Sequence, residues 1–271
     1  MKTLLSTIAL TFVVCLANAQ STPADTARFP LGDSEIWVIS KTDSARHSIT
    51  INDTTRSKVS KEALTYWAGL DLGVNFLLNQ DRKVNFSDEE SWIENDPARS
   101  LSWRFNFLEE RIRLYKDYVG LTTGAGFTWN SFTFTDNTRL ITNSDSTYGV
   151  IDSIPEYDKN KLRVTYLNVP LLLQFNTNTD PERNFHLSVG VIGGLRIGSR
   201  TKQTYEFNGE NNRSTVVDDF NLRPVTVDAT ARIGYRNFVL WANYSLIPMF
   251  REDKGPTVYP VSVGVSFIPF D

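Results

Sequence analysis

The stretch Leu101-Ser102-Trp103-Arg104-Phe105-Asn106-Phe107 puts a large apolar side chain at every odd position and a polar one at every even position. A period of two is that of an extended strand, whose successive side chains point to opposite faces. A helix would need apolar residues three and four apart, so the segment reads as a β-strand with one apolar face.

The same period runs outward from it in both directions. Before it, Ala68, Leu70, Leu72, Val74, Phe76 and Leu78 alternate with Gly69, Asp71, Gly73 and Asn75. After it, one parity is apolar in Val119, Leu121, Ala125, Phe127 and Trp129, and again in Leu167, Val169, Leu171, Leu173 and Phe175. Phe185, Leu187, Val189, Val191, Leu195 and Ile197 form the next set, followed by Val225, Val227, Ala229, Ala231, Ile233 and Tyr235. Phe238, Leu240, Ala242, Tyr244 and Leu246, then Tyr259, Val261, Val263, Val265 and Phe267, complete the series. The pattern predicts eight strands, an even number that suits a closed antiparallel barrel. Apolar parity flips between Leu108 and Leu114, which predicts a β-bulge there. Pro170 lacks an N–H and predicts a second irregularity in the fourth strand.

Three features predict lipid outside this barrel. The lysines after Thr65 (Lys83, Lys116, Lys159, Lys161, Lys202 and Lys254) fall in connections or at strand ends, while the minor parity holds Gly, Ser, Thr, Asn and a few Arg and Asp. Such side chains suit the narrow interior of a small barrel rather than a water-facing exterior. The connections over residues 80–98, 136–160 and 206–220 are long and polar, whereas Lys116-Asp117 and Arg236-Asn237 are tight turns and 177–183 is short. Outer-membrane barrels keep short turns on the periplasmic side and long loops outside. Aromatics also gather at both ends, with Tyr66, Trp67, Tyr115, Tyr118, Tyr235 and Phe238 near the short turns and Trp129, Phe132, Phe134 and Phe250 toward the long loops. These are the positions of two interfacial girdles. The expected fold is therefore an all-β, eight-stranded antiparallel up-and-down transmembrane β-barrel with an N-terminal extended arm.

Lys2, the apolar run over residues 4–16 and Ala17-Asn18-Ala19 predict a signal peptide over residues 1–19, cleaved before Gln20. The run is short for a spanning helix, which needs roughly 20 apolar residues. The chain's one Cys, Cys15, lies inside it, so the mature chain is expected to carry no disulfide. Residues 20–64, rich in Ser, Thr, Asp and Arg, read as a periplasmic arm with β-like stretches at Ile36-Trp37-Val38-Ile39 and Ile49-Thr50-Ile51 and room for one small hairpin. The barrel takes residues 65–271. Net charge −3 with scattered Lys and Arg argues against nucleic acid, and 2 His with 1 Cys against a zinc cluster. No cofactor is expected.

Asp71, Arg104, Asp228 and Arg232, with Glu109 or Glu110 and Arg196, are expected to form an interior charge network, because an unpaired buried charge is costly. His186 falls on the minor parity with Ser188 two residues on and Asp228 nearby in strand order. That grouping would serve a lipid-modifying enzyme. An interior His among small polar residues is more often a polar filler, and the expectation is a structural, non-enzymatic role. A lumen of eight strands is filled by side chains, so no general pore is expected. The acidic residues 87–96 around Trp92 lack a calcium-loop ladder and read as a solvated loop. Gly190-Val191-Ile192-Gly193-Gly194 lacks the helix and Lys-Ser/Thr pair of a phosphate loop.

Leu70-Asp71-Leu72-Gly73-Val74-Asn75, Tyr115-Lys116-Asp117-Tyr118-Val119-Gly120-Leu121 and Tyr166-Leu167-Asn168-Val169-Pro170-Leu171-Leu172-Leu173 resemble the PorT-like outer-membrane β-barrel family of Bacteroidota. The resemblance covers about residues 65–271. It implies an eight-stranded barrel and, for some members, a link to protein secretion. The partners expected are outer-membrane lipid, the barrel-assembly machinery and an envelope protein met through the arm. Phe270 is followed by Asp271, a departure from the terminal aromatic that this machinery reads in many barrels. Two alternatives stay open: a lipid-modifying outer-membrane enzyme and a soluble periplasmic barrel that binds an apolar ligand.

Overall fold

The computed structural model describes residues 26–31, 34–39, 64–207 and 209–268. The expected signal peptide, the Ile49-Thr50-Ile51 stretch and Phe270 lie outside the described residues. The chain divides into two units, residues 1–61 and 62–271. In the first, β1 (Thr26–Leu31) pairs antiparallel with β2 (Ser34–Ile39), Thr26 opposite Ile39 and Leu31 opposite Ser34. The stretch Ile36-Trp37-Val38-Ile39 is thus one strand of a small hairpin.

The second unit contains β3 (Gly69–Leu78), β4 (Leu101–Tyr115), β5 (Val119–Thr133), β6 (Thr138–Thr142), β7 (Thr147–Ile151), β8 (Tyr157–Asn176), β9 (Phe185–Phe207), β10 (Glu210–Val217), β11 (Val225–Tyr235), β12 (Phe238–Ser245) and β13 (Tyr259–Phe267). Eight of these close a ring in the order β3-β4-β5-β8-β9-β11-β12-β13, with β13 returning to β3. Every pair in the ring is antiparallel. The closed ring leaves no strand edge along its circumference, which a lipid environment requires.

The alternating residues explain which way each strand faces. Leu72, Trp103, Val169, Leu187, Leu240 and Val265 are exposed on the outer wall, while Asp71, Arg104, Ser188, Arg232 and Ser266 are buried inside. The expected bulge in β4 is present as a register shift between Asn106 and Leu108, with a second between Arg113 and Tyr115. At Pro170 the ladder to Ile192 of β9 continues, while pairing with β5 lapses between Leu171 and Asn168 without a change of register. The Thr123 hydroxyl donates to the Pro170 carbonyl at 2.9 Å across this gap.

Two expectations are corrected. The connections over residues 136–160 and 206–220 are not plain loops: the first folds as the β6–β7 hairpin, and the second carries β10, which pairs with the far end of β9. At 20 and 23 residues, β8 and β9 are roughly twice the length that an apolar band about 25 Å tall requires. The girdle reading also fails for several aromatics. Tyr66, Trp67, Phe132, Phe134 and Phe250 are buried, whereas Trp103, Trp129, Tyr115 and Phe238 are exposed on the outer wall.

Those buried aromatics close the barrel's two ends. At the short-turn end Leu64 and Tyr66 pack with Val239 and Ile268, and Trp67 packs with Leu172 and Ile192. At the long-loop end Leu77, Trp92, Ile93, Phe132, Phe134 and Phe250 belong to one larger cluster. Trp92 and Ile93 sit in a 3-10 turn (Ser91–Ile93), so the acidic stretch around them is anchored to the core and not simply solvated. The hairpin β6–β7 lies against this turn. Gly149 permits the approach, since a Cβ there would fall 2.4 Å from the Trp92 ring.

Candidate functional site: the polar interior and its two closures

Between the apolar ends lies a layer of buried polar side chains. Asp71 on β3 and Arg232 on β11 face each other across the lumen and form a bidentate pair, NH1 donating to Oδ2 at 2.9 Å and NH2 to Oδ1 at 3.1 Å. Both side chains are almost wholly buried, at 0% and 1% exposure. Arg232 NH2 also donates to Ser266 Oγ at 2.7 Å, and Asn106 Nδ2 donates to Asp71 Oδ2 at 3.3 Å. The guanidinium lies 5.0 Å from the centre of the Trp67 ring. A fork of two parallel charge-assisted bonds is the strongest arrangement this pair can adopt.

Arg104 on β4 lies 4.5 Å from the Trp241 ring, within the electrostatic field of both Asp71 and Asp228. With its amide oxygen turned toward Arg104, Asn243 accepts from both terminal nitrogens of that guanidinium. Asp228 Oδ1 accepts from Thr226 Oγ1 at 2.8 Å. Arg196 lies apart from this layer. Its guanidinium donates to the carbonyls of Arg223 (3.2 Å) and Leu222 (3.3 Å) and to Ser199 Oγ (2.9 Å), bracing the connection before β11.

His186 is buried near the short turns. Its ring stacks on Tyr66 with centroids 3.6 Å apart and planes 3° from parallel, and Nε2 meets the Arg236 carbonyl at 3.2 Å. That geometry makes Nε2 the protonated nitrogen. Neither Ser188 nor Asp228 hydrogen-bonds to the imidazole among the described residues, so no nucleophile–base pair is assembled. What the ring does instead is hold Tyr66, whose hydroxyl accepts from Asn184 Nδ2 at 2.9 Å.

Of the two carboxylates expected in the interior network, Glu109 or Glu110, the structure selects Glu109 and makes it an anchor for the backbone. The Glu109 carboxylate accepts from three successive backbone amides, Tyr66 at 3.0 Å and Trp67 and Ala68 at 2.7 Å each. The bulge after Asn106 turns Glu109 inward to reach them, while Glu110 is exposed. Consecutive amides converging on one anion form a nest. Glu109 thereby pins the segment that closes the short-turn end. Glu109→Gln removes the charge and one acceptor oxygen, and is expected to lower stability by about 1.5 kcal/mol. Urea unfolding in vesicles would measure it, and an unchanged midpoint would contradict the role.

The long-loop end is closed by a hydrogen-bonded lid. Asn221 Nδ2 donates to the Asn143 carbonyl and to Thr147 Oγ1, both at 3.0 Å, and Thr147 N donates to the Lys254 carbonyl at 2.9 Å. At the foot of the hairpin Arg139 pairs with Asp152, Nε to Oδ2 at 2.8 Å, and the Tyr157 hydroxyl donates to the same carboxylate at 2.9 Å. The hydrogen bond from Arg139 is the main influence holding the Asp152 carboxyl below the ordinary carboxylate range. Asp219, lowered chiefly by the Asn221 backbone N–H and paired with Arg251 at 2.6 Å, behaves alike. A carboxylate lowered in the folded state adds stability above its unfolded pKa and loses it as pH falls through the folded one. The lid should therefore be unaffected from neutral pH down to about 5 and loosen below about 4. Exposure of Arg139 keeps the effect modest. Hydrogen exchange at the backbone amides of residues 138–151, corrected for its intrinsic pH dependence, should speed up over that acid range, and a flat profile would contradict the assignment.

A closed antiparallel ring, apolar outside and polar within, with tight turns at one end and built-up loops at the other, defines an outer-membrane β-barrel. The sequence model of the outer membrane protein beta-barrel domain family matches residues 65–251. The chain belongs to that family. No curated protein matches the sequence. Among solved structures it is similar to Ail, the attachment invasion locus protein of Yersinia pestis, at 10% identity and a TM-score of 0.31, over 74% of this chain and 98% of that one. The structure of Ail in complex with the heparin analogue sucrose octasulfate matches at 13% identity and a TM-score of 0.29, over 73% and 94%.

Proposed function

We propose that this outer-membrane barrel is a non-enzymatic anchor: a sealed cylinder that presents a rigid loop platform outside the cell and its N-terminal arm on the periplasmic side. In this reading the chain is PorT-like, is exported by a signal peptide over residues 1–19, and meets an envelope partner through the arm. The secretion link rests on the resemblance alone. The observation that carries the proposal is the filled interior. The Asp71–Arg232 layer is packed between apolar closures at both ends, leaving the built-up loop end as the surface on offer. A soluble carrier of an apolar ligand would need the opposite arrangement, with a greasy cavity and a charged exterior.

Because the expected mature chain lacks cysteine, single cysteines report topology directly. Ser144→Cys, in the turn between β6 and β7, should react with a membrane-impermeant maleimide on intact cells. Arg183→Cys, in the turn between β8 and β9, should react only after the outer membrane is permeabilised. The reverse pattern would overturn the orientation. His186→Ala separates anchor from enzyme. It should cost roughly 1 kcal/mol through the lost stack on Tyr66 and leave envelope lipid composition unchanged; a lost lipid modification in a folded variant would favour catalysis.

A further inference from the structure

On the outer wall of the tall side, the apolar stripe ends abruptly in cations. Outward positions along β8, taken from the short-turn end, run Leu171, Val169, Leu167, Thr165, then Arg163, Lys161 and Lys159. On β9 the outward residues Val191, Leu195 and Ile197 are followed by a register shift, Tyr166 pairing with Arg196 but Thr165 with Gly198. That bulge inverts the parity of everything beyond it. Arg200 and Lys202 therefore face outward while Ser199, Thr201 and Gln203 are buried. Without the extra residue, the two cations would point into the barrel.

The resulting juxtaposition is unusual. Arg163 stands directly opposite Arg200, and Lys161 directly opposite Lys202. Lys159, Arg213 and Arg99 flank them, and Arg213 pairs with Thr204 one outward position beyond Lys202. Like charges directly opposite across a ladder destabilise a sheet. Among the described residues, none of these cations has an Asp or Glu within ion-pair distance, whereas Arg139, Arg251, Arg232 and Arg236 all do. A groove of about 590 Å³ runs along this boundary, with Trp103, Trp129, Lys161, Arg163 and Arg200 in its lining.

We infer that this patch is a binding site for the phosphate-bearing headgroup of an anionic lipid in the outer leaflet. Exposed Trp103 and Trp129 mark the level of the membrane interface on the same wall. Four cations set just beyond that level meet headgroup phosphates, while the acyl chains lie along Leu167, Val169 and Val191. Cations near a membrane surface attract anionic lipid, and a bound phosphate relieves the repulsion between the facing pairs. The site rests on the outer-membrane reading above and adds the lipid class.

The test uses full-length protein in phosphatidylcholine vesicles doped with brominated phosphatidylglycerol or brominated phosphatidylcholine, which quench nearby tryptophans. The anionic lipid is expected to win the site by roughly fivefold, equivalent to about 1 kcal/mol. Lys161→Gln/Arg163→Gln/Arg200→Gln/Lys202→Gln should abolish the preference while keeping heat-modifiable gel mobility. If that variant does not fold, Lys161→Gln/Arg163→Gln should at least halve it. Arg236→Gln, at the opposite end, should leave it intact. Equal quenching by both lipids, or a preference that survives the fourfold change, would overturn the proposal alone. A preference erased by inorganic phosphate but not by matched sodium chloride would overturn the lipid source in favour of a soluble anion. Absence of quenching by either lipid would overturn the membrane reading and the proposal with it.

Discussion

Arg232→Ala is expected to lower the stability of the barrel by about 3–5 kcal/mol, because it strands the Asp71 carboxylate in a dry interior. Asp71 is fully buried, and beyond Arg232 it is held, among the described residues, only by neutral groups, the Asn106 amide at 3.3 Å and the Ser266 hydroxyl. Removing the guanidinium also takes away the donor to Ser266 and the cation beneath Trp67. The matching double change, Asp71→Asn with Arg232→Met, should recover much of the loss, since two neutral groups of similar volume need no ionic partner. Urea titration of folded protein in vesicles reads both. A single variant as stable as the parent would show that the pair is not an energetic element of the core.

The second large effect concerns the outer wall. Leu240→Arg on β12 or Val263→Arg on β13 should cost about 2–4 kcal/mol if these positions meet the middle of the bilayer. Both side chains are exposed, Leu240 at 50% and Val263 at 39%; Val263 is the central residue of β13, and Leu240 the third residue of β12. Asp81→Arg, in the exposed turn after β3, places the same charge in water and should be nearly silent. Equal tolerance at all three positions, followed by heat-modifiable mobility, would mean that no low-dielectric layer surrounds the strands.

The eight ring strands were legible because lipid outside and polar groups inside impose the same period of two on every strand. Even the β4 bulge showed as a parity flip around Leu108. The closures were not legible. Tyr66, Trp67, Phe132 and Phe250 have the composition of an interfacial girdle, and proximity to a strand end does not say whether a ring turns out to lipid or in to seal the mouth. Apolar residues on the inner parity, such as Leu77, Leu162, Val164 and Leu172, fill the two ends, a feature that alternation alone averages away. The strands beyond the bilayer were also hidden. There β10 has water on most of its length, and β6 and β7 turn inward mainly Thr138, Thr147 and Gly149 with part of Leu140, so without a continuous apolar face the sequence resembles a polar loop.

The interior residues divide for a similar reason. Asp71, Arg104, His186, Asp228 and Arg232 lie on inward positions of regular strands, where parity locates them. Arg196 lies at the β9 bulge, where parity breaks, and its bonds run to the backbone of the neighbouring connection. Glu109 was one of two candidates, and the bulge after Asn106 selected it over Glu110. Which backbone amides it would meet depends on contacts 41 to 43 residues apart in sequence, beyond the reach of local pattern.

The central claim is that the apolar parity touches acyl chains. A photoactivatable probe confined to the hydrocarbon layer, applied to the reconstituted protein and read by peptide mapping, tests it residue by residue. Labelling is predicted at Val189, Leu240 and Val263 and absent from their inward neighbours Ser188, Val239 and Ser262. Label on Val239 with Leu240 and Val263 left clean would contradict the account.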